Sequence, residues 1–127
     1  MNISGLGTAL VTPFTAQGKI DESALHRLLD HQLAAKVDFL VVLGTTAEAA
    51  TMTRREQQFV GNVIVEHVAR RIPLVIGVGG NCTQELVERL KLLQGDLKRD
   101  FKAILSVCPY YNKPQQEGLY RHFAAVA

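Results

Sequence analysis

The chain has 127 residues, of which 47% are hydrophobic and 20% are charged, with only four prolines. This length and balance are typical of one globular domain with its own core, and they exclude a disordered or fibrous chain. Fourteen basic and twelve acidic side chains leave a formal charge of +2, which is too small for nucleic-acid binding unless it is clustered. No cluster is visible, so we expect no nucleic-acid partner.

Signals for export and for a membrane are weak in this sequence. The start, Met1 to Gly5, has no basic leader, and no later stretch approaches the ~18 apolar residues of a membrane span. We therefore expect a cytoplasmic protein with no membrane partner. Cys82 and Cys108 lack the spacing of metal ligands and are interpreted as free, buried thiols in a reducing compartment.

Four short runs of β-branched and aliphatic residues predict strands at residues 6–12, 39–43, 74–78 and 103–107. Nearly every residue in these runs is apolar, which is typical of strands that helices cover on both faces of a parallel sheet. Half-exposed antiparallel strands would alternate between apolar and polar residues instead. The sequence therefore predicts parallel pairing.

Helices are predicted after each strand. The first has Asp21 or Ser23 as a candidate cap, and the second covers residues 53–69 and opens with a capping-box match, Thr53 to Glu56. Each helix has an apolar side that we expect to be buried. For the four helices in chain order, the residues of this side are Ala24, Leu25, Leu28, Leu29 and Leu33; Phe59, Val60, Val63, Ile64 and Val68; Leu86, Val87, Leu90 and Leu93; and Leu119, Phe123 and Val126.

The third helix is predicted over residues 83–94 with Thr83 as its cap, and the fourth starts near residue 115 and is still helical at residue 127. The pairs Arg54-Arg55 and Arg70-Arg71 fall at predicted helix ends, so they are interpreted as solvated and receive no function. The four histidines also lie in helices, away from the strand ends, and none is expected to be catalytic. No side-chain cluster indicates a metal, and we expect no cofactor.

A strand followed by a helix, repeated four times with about 30 residues in each unit, predicts an α/β fold. A complete TIM (βα)₈ barrel takes ~250 residues, so residues 1–127 are interpreted as the N-terminal half of a single barrel domain, truncated within the fourth helix. Such a half would leave the edges of its first and fourth strands unpaired and its apolar inner face open. We expect the chain alone to associate.

Barrel enzymes place their sites at the carboxyl ends of the strands. Residues 44–48, Gly-Thr-Thr-Ala-Glu, follow the second strand and offer backbone N–H groups and hydroxyls to a small carboxylate; an ordinary loop with capping threonines fits equally well. Residues 109–114 follow the fourth strand and carry Tyr110 and Tyr111, either for proton transfer or for packing at the rim. The glycine-rich residues 77–81 match no phosphate-binding fingerprint, so they indicate close approach of backbone segments.

Three segments, residues 7–14, 44–48 and 109–114, with residues 116–120 following, together resemble the dihydrodipicolinate synthase family of pyruvate-dependent lyases and synthases. The resemblance covers essentially the whole chain. It implies that the complete protein condenses pyruvate with aspartate semialdehyde through a lysine Schiff base, on the path to diaminopimelate and lysine, as a homodimer or homotetramer. Two alternatives remain open: a related lyase such as N-acetylneuraminate lyase, and a non-catalytic half barrel that binds a small carboxylate.

The resemblance also implies roles for individual residues. Thr45 would relay protons between tyrosines, and Thr46 would hold the pyruvate carboxylate. Tyr111 would reach across a dimer interface into the partner's site, and Tyr110 would lie at that interface. Ala47 stands where many members have glycine, and we expect it to keep a negative φ.

A lysine-feedback site at the interface would draw on Ala50, Asn81, Glu85 and Tyr110, which match the family pattern. Histidines of well-inhibited members are replaced by Arg54 and Gln57, so feedback inhibition by lysine is not expected.

The Schiff-base lysine of the family is expected on the sixth strand, beyond residue 127. None of the six lysines in the chain is suited to replace it, because that lysine must be desolvated to lower its pKa. Lys102 precedes the fourth strand at the wrong end, Lys113 lies on an exposed loop, and the others lie in helices or outer loops. We expect the chain alone to be inactive.

Overall fold

The fold was derived from a computed structural model that describes residues 3–127, except for the side chains of residues 93–99. Four strands alternate with four helices: β1 Gly7–Ala9, α1 Glu22–Ala34, β2 Phe39–Val42, α2 Arg54–Val68, β3 Leu74–Gly77, α3 Thr83–Asp100, β4 Ala103–Leu105 and α4 Gln116–Val126. Two short 3₁₀ turns, Thr45–Ala47 and Ala49–Thr51, lie between β2 and α2.

The strands form one sheet in the order β1-β2-β3-β4, and every neighbouring pair is parallel. This confirms the predicted pairing. The outer strands are shorter than predicted: β1 ends at Ala9 instead of residue 12, and β4 ends at Leu105 instead of residue 107. Each outer strand pairs with one neighbour only among the described residues, so cross-strand hydrogen bonds stabilise a shorter segment there.

The core lies between the central strands and the helices α1 and α2. Leu25 and Leu29 of α1, Leu40 of β2, and Ile64 and Val68 of α2 are all at most 1% exposed. Fully burying such a side chain contributes roughly 1.5–3 kcal/mol relative to leaving it in water. This cluster therefore fixes the first two helices on the sheet.

The prediction that Phe59 is buried was wrong, because its side chain is 40% exposed. Residues follow one another at 3.6 per turn, which puts Phe59 about 140° around α2 from Ile64 and outside the stripe that meets the sheet. Val60 and Val63 lie closer to the centre of that stripe and are buried.

Two of the three predicted helix caps are present in the structure. The Asp21 carboxylate accepts a 2.8 Å hydrogen bond from the Ala24 N–H, and the capping box of Thr53 and Glu56 is present in both directions. Thr83 was wrongly predicted as a cap: it is the first helical residue of α3, and its hydroxyl instead pairs with Nδ1 of the buried His122 at 2.8 Å.

Helix α3 also continues to Asp100, past the predicted end at residue 94, while the predicted burial of Leu93 lies outside the described side chains. Within the described part of the chain, no helix is both long and apolar enough to cross a membrane.

Apolar side chains remain open to solvent along the outer strands and the segments that follow them. Val11 is 49% exposed, Ile104 41%, Leu105 52% and Val107 41%. By contrast, all four residues of β3 are buried. The described sheet therefore has a covered centre and uncovered margins, as a part of a barrel would have.

Candidate active site

A cavity of about 560 Å³ opens at the carboxyl ends of β2, β3 and β4. Its walls come from the segment after β2, the glycine-rich segment after β3 and the tyrosine loop after β4. This is the end of the strands at which barrel enzymes place their sites. Thr45 and Tyr110 both line the cavity, so the structure brings two of the predicted segments together.

The glycines after β3 make room for this arrangement. A Cβ atom on Gly77 would overlap the backbone carbonyl of Leu43, and one on Gly79 would lie 2.8 Å from Cγ1 of Val107. The predicted close backbone approach is therefore confirmed at Gly77, whereas Gly79 lies against a side chain.

The Thr45–Ala47 turn is framed by two residues in the left-handed region, Leu43 with φ 56° and Glu48 with φ 58°. Ala47 is not among the positive-φ residues, which confirms the expectation of a negative φ. A non-glycine residue in the left-handed region costs roughly 1–2 kcal/mol. The tertiary contacts of this segment must therefore hold the turn in place.

One of these contacts comes from Thr12, a residue that the sequence analysis did not single out. Its side chain is 4% exposed, and its hydroxyl donates a 2.9 Å hydrogen bond to the Ala47 carbonyl. The bond joins the segment after β1 to the turn that carries Thr45 and Thr46. A threonine at the end of an apolar run that also contains Thr8 was the only signal in the sequence.

The tyrosine loop stands out from the surface. Tyr111 is 91% exposed and Tyr110 53%, and the Asn112 side-chain amide donates a 2.8 Å hydrogen bond to the Asn81 carbonyl. That bond ties the loop after β4 to the loop after β3. Thr45 and Tyr110 line the cavity, whereas Thr46 and Tyr111 do not. The roles of all four residues stay predictions.

Ala50, Asn81 and Glu85, the remaining residues of the predicted regulatory site, line the same cavity as Thr45 and Tyr110. Arg54 and Gln57 line it too, and so does Arg89, which the sequence analysis overlooked. The Gln57 side-chain amide donates to the carbonyls of Ala49, at 2.7 Å, and Met52, at 3.2 Å. Its oxygen accepts a hydrogen bond from Nη2 of Arg89.

The surroundings of Arg89 lower the pKa of its side chain. Partial burial lowers the pKa of its guanidinium below the ordinary arginine value, and the nearby positive charge of Arg54 lowers that pKa further. Both causes disfavour the charged form. Arginine still remains protonated at neutral pH, so the cavity wall carries a positive charge that is partly desolvated.

The lysines and cysteines whose side chains the structure describes are all exposed. All described lysines, at positions 19, 36, 91, 102 and 113, are exposed; the side chain of Lys98 lies outside the described residues. Cys82 and Cys108 are free, as predicted. Their predicted burial was wrong, because both are exposed in the segments that follow β3 and β4 at the carboxyl ends of the strands. Among the described side chains, no group of three or more His, Cys, Asp or Glu residues is arranged to hold a metal.

A parallel sheet whose strands alternate with helices and whose cavity opens at the strands' carboxyl ends is the architecture of a (βα)₈ barrel, of which this chain forms a part. The model of the dihydrodipicolinate synthetase family matches residues 2–127. The chain belongs to this family.

Relatives and solved structures agree with this assignment. The chain is 50% identical to a 4-hydroxy-tetrahydrodipicolinate synthase of Parabacteroides distasonis, a match that covers 100% of this chain and 42% of the relative. Among solved structures, the chloride-inhibited dihydrodipicolinate synthase of Acinetobacter baumannii, complexed with pyruvate, is 38% identical with a TM-score of 0.91, covering 98% of this chain and 42% of that one. A dihydrodipicolinate synthase variant described as the first monomeric one is 40% identical with a TM-score of 0.86, covering 96% and 39%. The chain thus spans about two fifths of the length of the proteins that it matches.

Proposed function

We propose that the complete protein containing this chain condenses pyruvate with aspartate semialdehyde, on the path to diaminopimelate and lysine. The observation that carries the proposal is the meeting of Thr45 and Tyr110 in one cavity at the carboxyl ends of the strands. Membership of a family in which the A. baumannii enzyme was solved with pyruvate supports the choice of the first substrate.

The proposed chemistry is covalent catalysis. A lysine amine attacks the keto carbon of pyruvate and releases water to form an imine, which loses a proton to give an enamine. The enamine carbon then forms a bond to the aldehyde carbon of the second substrate, while the electron pair of the aldehyde C=O π bond passes to its oxygen, which takes up a proton. The enamine thereby returns to an imine, and displacement of the lysine amine from that imine releases the product. In this scheme the Thr45 hydroxyl passes protons between tyrosines, including Tyr111, while the Thr46 hydroxyl and neighbouring backbone N–H groups bind the pyruvate carboxylate.

We expect the lysine that forms the imine to come from the rest of the barrel. A Schiff-base lysine must be desolvated so that its amine is neutral, and every described lysine of this chain is exposed. The 127 residues alone are therefore proposed to be inactive.

We further propose that the complete protein is a homodimer or a homotetramer in which Tyr111 enters the partner's site. The exposure of Tyr111, at 91%, and of Tyr110, at 53%, supports this view, because large aromatic side chains that project from a loop are typical anchors at protein interfaces. One similar solved structure is described as a monomeric variant, so the mass of the complete protein in solution tests this proposal.

Reduction with borohydride tests the proposed chemistry. The complete protein is incubated with pyruvate and borohydride, and intact-mass spectrometry should detect one reduced pyruvate adduct per chain. The 127-residue chain treated in the same way is the matched control and should remain unmodified. The absence of an adduct on the complete protein would refute the proposal.

The second substrate is tested separately, by comparing turnover of aspartate semialdehyde with cleavage of N-acetylneuraminate. A protein that forms the adduct but prefers the sugar would be a sister lyase.

The proposed role of Thr45 is tested by substitution in the complete protein. Thr45→Val should reduce kcat because it removes the hydroxyl, and Thr45→Ser is the control that keeps the hydroxyl.

A further inference from the structure

Two arginines line the cavity from different helices. Arg54 lies in the first turn of α2, and Arg89 lies one helix further along the chain, on α3. Among the described residues, neither arginine forms an ion pair with an acidic side chain. Glu85 also lines the cavity, yet no ion pair joins it to either arginine. Within the described part of the protein, Arg54 and Arg89 therefore have no carboxylate at ion-pair distance, although Glu85 lies in the same cavity.

The position of Arg89 is fixed by an ordered hydrogen-bond chain. Gln57 is anchored by its amide nitrogen to the carbonyls of Ala49 and Met52, and its oxygen accepts from Nη2 of Arg89. A neutral amide oxygen uses one donor of the guanidinium and leaves its charge uncompensated. The remaining N–H groups of the fork are available to a ligand in the cavity.

Arg89 is partly buried and Arg54 is exposed, and a positive charge close to a second, partly desolvated positive charge is unfavourable. The lowered pKa of Arg89, which results first from burial and then from the charge of Arg54, reflects that cost. An anion between the two side chains would offset both contributions. Arginine is also the side chain whose planar fork best matches the two oxygens of a carboxylate or phosphate.

We propose that Arg54 and Arg89, with Gln57 as the residue that positions Arg89, form a binding site for a small oxyanion, a carboxylate or a phosphate. The site gives Arg54 a function that the sequence alone did not suggest. Thr45 lines the same cavity, so an anion held here lies in the same open space as the proposed catalytic hydroxyl. The proposal depends only on the arginines and does not rest on the condensation reaction.

Titration calorimetry on the complete protein tests this site. The probes are succinate and inorganic phosphate, each added at constant ionic strength because exposed charges are screened by salt. We expect saturable binding of at least one probe, and the stronger one identifies the source of the oxyanion. Arg54→Gln should weaken that binding by about tenfold or more, since a charge-assisted hydrogen bond is lost.

Arg55→Gln is the matched control, because Arg55 is the next residue, is exposed and does not line the cavity. It should leave the affinity unchanged. Arg89→Lys keeps the charge but removes the planar fork, so it should weaken binding while the fold, followed by circular dichroism, is kept. Failure of both probes to bind, or equal losses in Arg54→Gln and Arg55→Gln, would overturn the proposal. Adduct formation with pyruvate in the same preparations reports on the proposed reaction independently.

Discussion

The centre and the margin of the sheet have similar sequences but different surroundings. All four residues of β3 are buried, and so are Leu40 and Val42 of β2. In β4, which is equally apolar, Ile104 is 41% exposed and Leu105 52%. The strands differ because β2 and β3 have a neighbour on both sides, whereas β4 has one among the residues that the structure describes. Hydrophobic composition thus selects a strand, while the number of neighbours decides how much it contributes to stability.

The largest expected effect comes from comparing a leucine of β2 with a leucine of β4. Leu40→Ala in the 127-residue chain should lower the free energy of unfolding by about 2–5 kcal/mol, because a fully buried side chain leaves a cavity. Leu105→Ala should cost much less, since about half of that side chain is already in water. Urea denaturation at high dilution, where the expected association of the 127-residue chain is weakest, measures both. Equal losses would mean that β4 is as well covered in solution as β2, which would break the comparison.

A second test concerns the border between the two regions, where Thr12 supports the turn that carries Thr45. Thr12→Val keeps the side-chain shape but leaves the Ala47 carbonyl without its hydroxyl donor, and should cost about 1–3 kcal/mol. In the complete protein we expect kcat to fall with it. Thr12→Ser is the control that restores the donor. If valine were tolerated in both measurements, the hydrogen bond would have no role in holding the turn.

The smallest effect is expected at the start of α2, on the exposed surface. Hydrogen bonds from the Thr53 side chain and then from its backbone N–H lower the pKa of Glu56. A lowered pKa in the folded state means stability that is present above the unfolded pKa and lost as the pH falls through the folded one. The stability difference between the wild type and Glu56→Gln should therefore shrink on acidification.

Thermal unfolding at a series of pH values measures this difference. Glu66→Gln is the matched control in the same helix, because Glu66 has no described hydrogen-bond or ion-pair partner. Its effect should be smaller at neutral pH. A Glu56→Gln difference that grows as the solution becomes more acidic would contradict the assigned cause.

The features predicted from the sequence are those that depend on local pattern. The order of strands and helices, the parallel pairing and the capping box of Thr53 and Glu56 were predicted and are confirmed. Each needs only the spacing of apolar residues or a motif within one turn of helix. The exposure of Phe59 was missed because it depends on how far the contact with the sheet extends around α2.

The contacts that shape the cavity were not predicted because they join distant parts of the chain. Thr12 and Ala47 are 35 residues apart, and Gln57 and Arg89 are 32 apart. No periodicity links such pairs, and a buried hydroxyl or an arginine on a helix is ordinary until its partner is known. The segments after β2 and β4 were predicted to lie at one end of the sheet, since the direction of parallel strands requires it. The choice of Thr45 and Tyr110, without Thr46 and Tyr111, as residues lining the cavity required coordinates.

Gly77 allows the carboxyl ends of β2 and β3 to lie close together at the cavity. The carbonyl of Leu43 occupies the space that a methyl group on Gly77 would need, so any larger residue would force the ends of β2 and β3 apart. The entrance would then widen and the Thr45 turn would shift with it. New specificities in proteins built on this scaffold are accordingly expected to arise from residues that extend over the opening, while the gap between these two strands keeps one width.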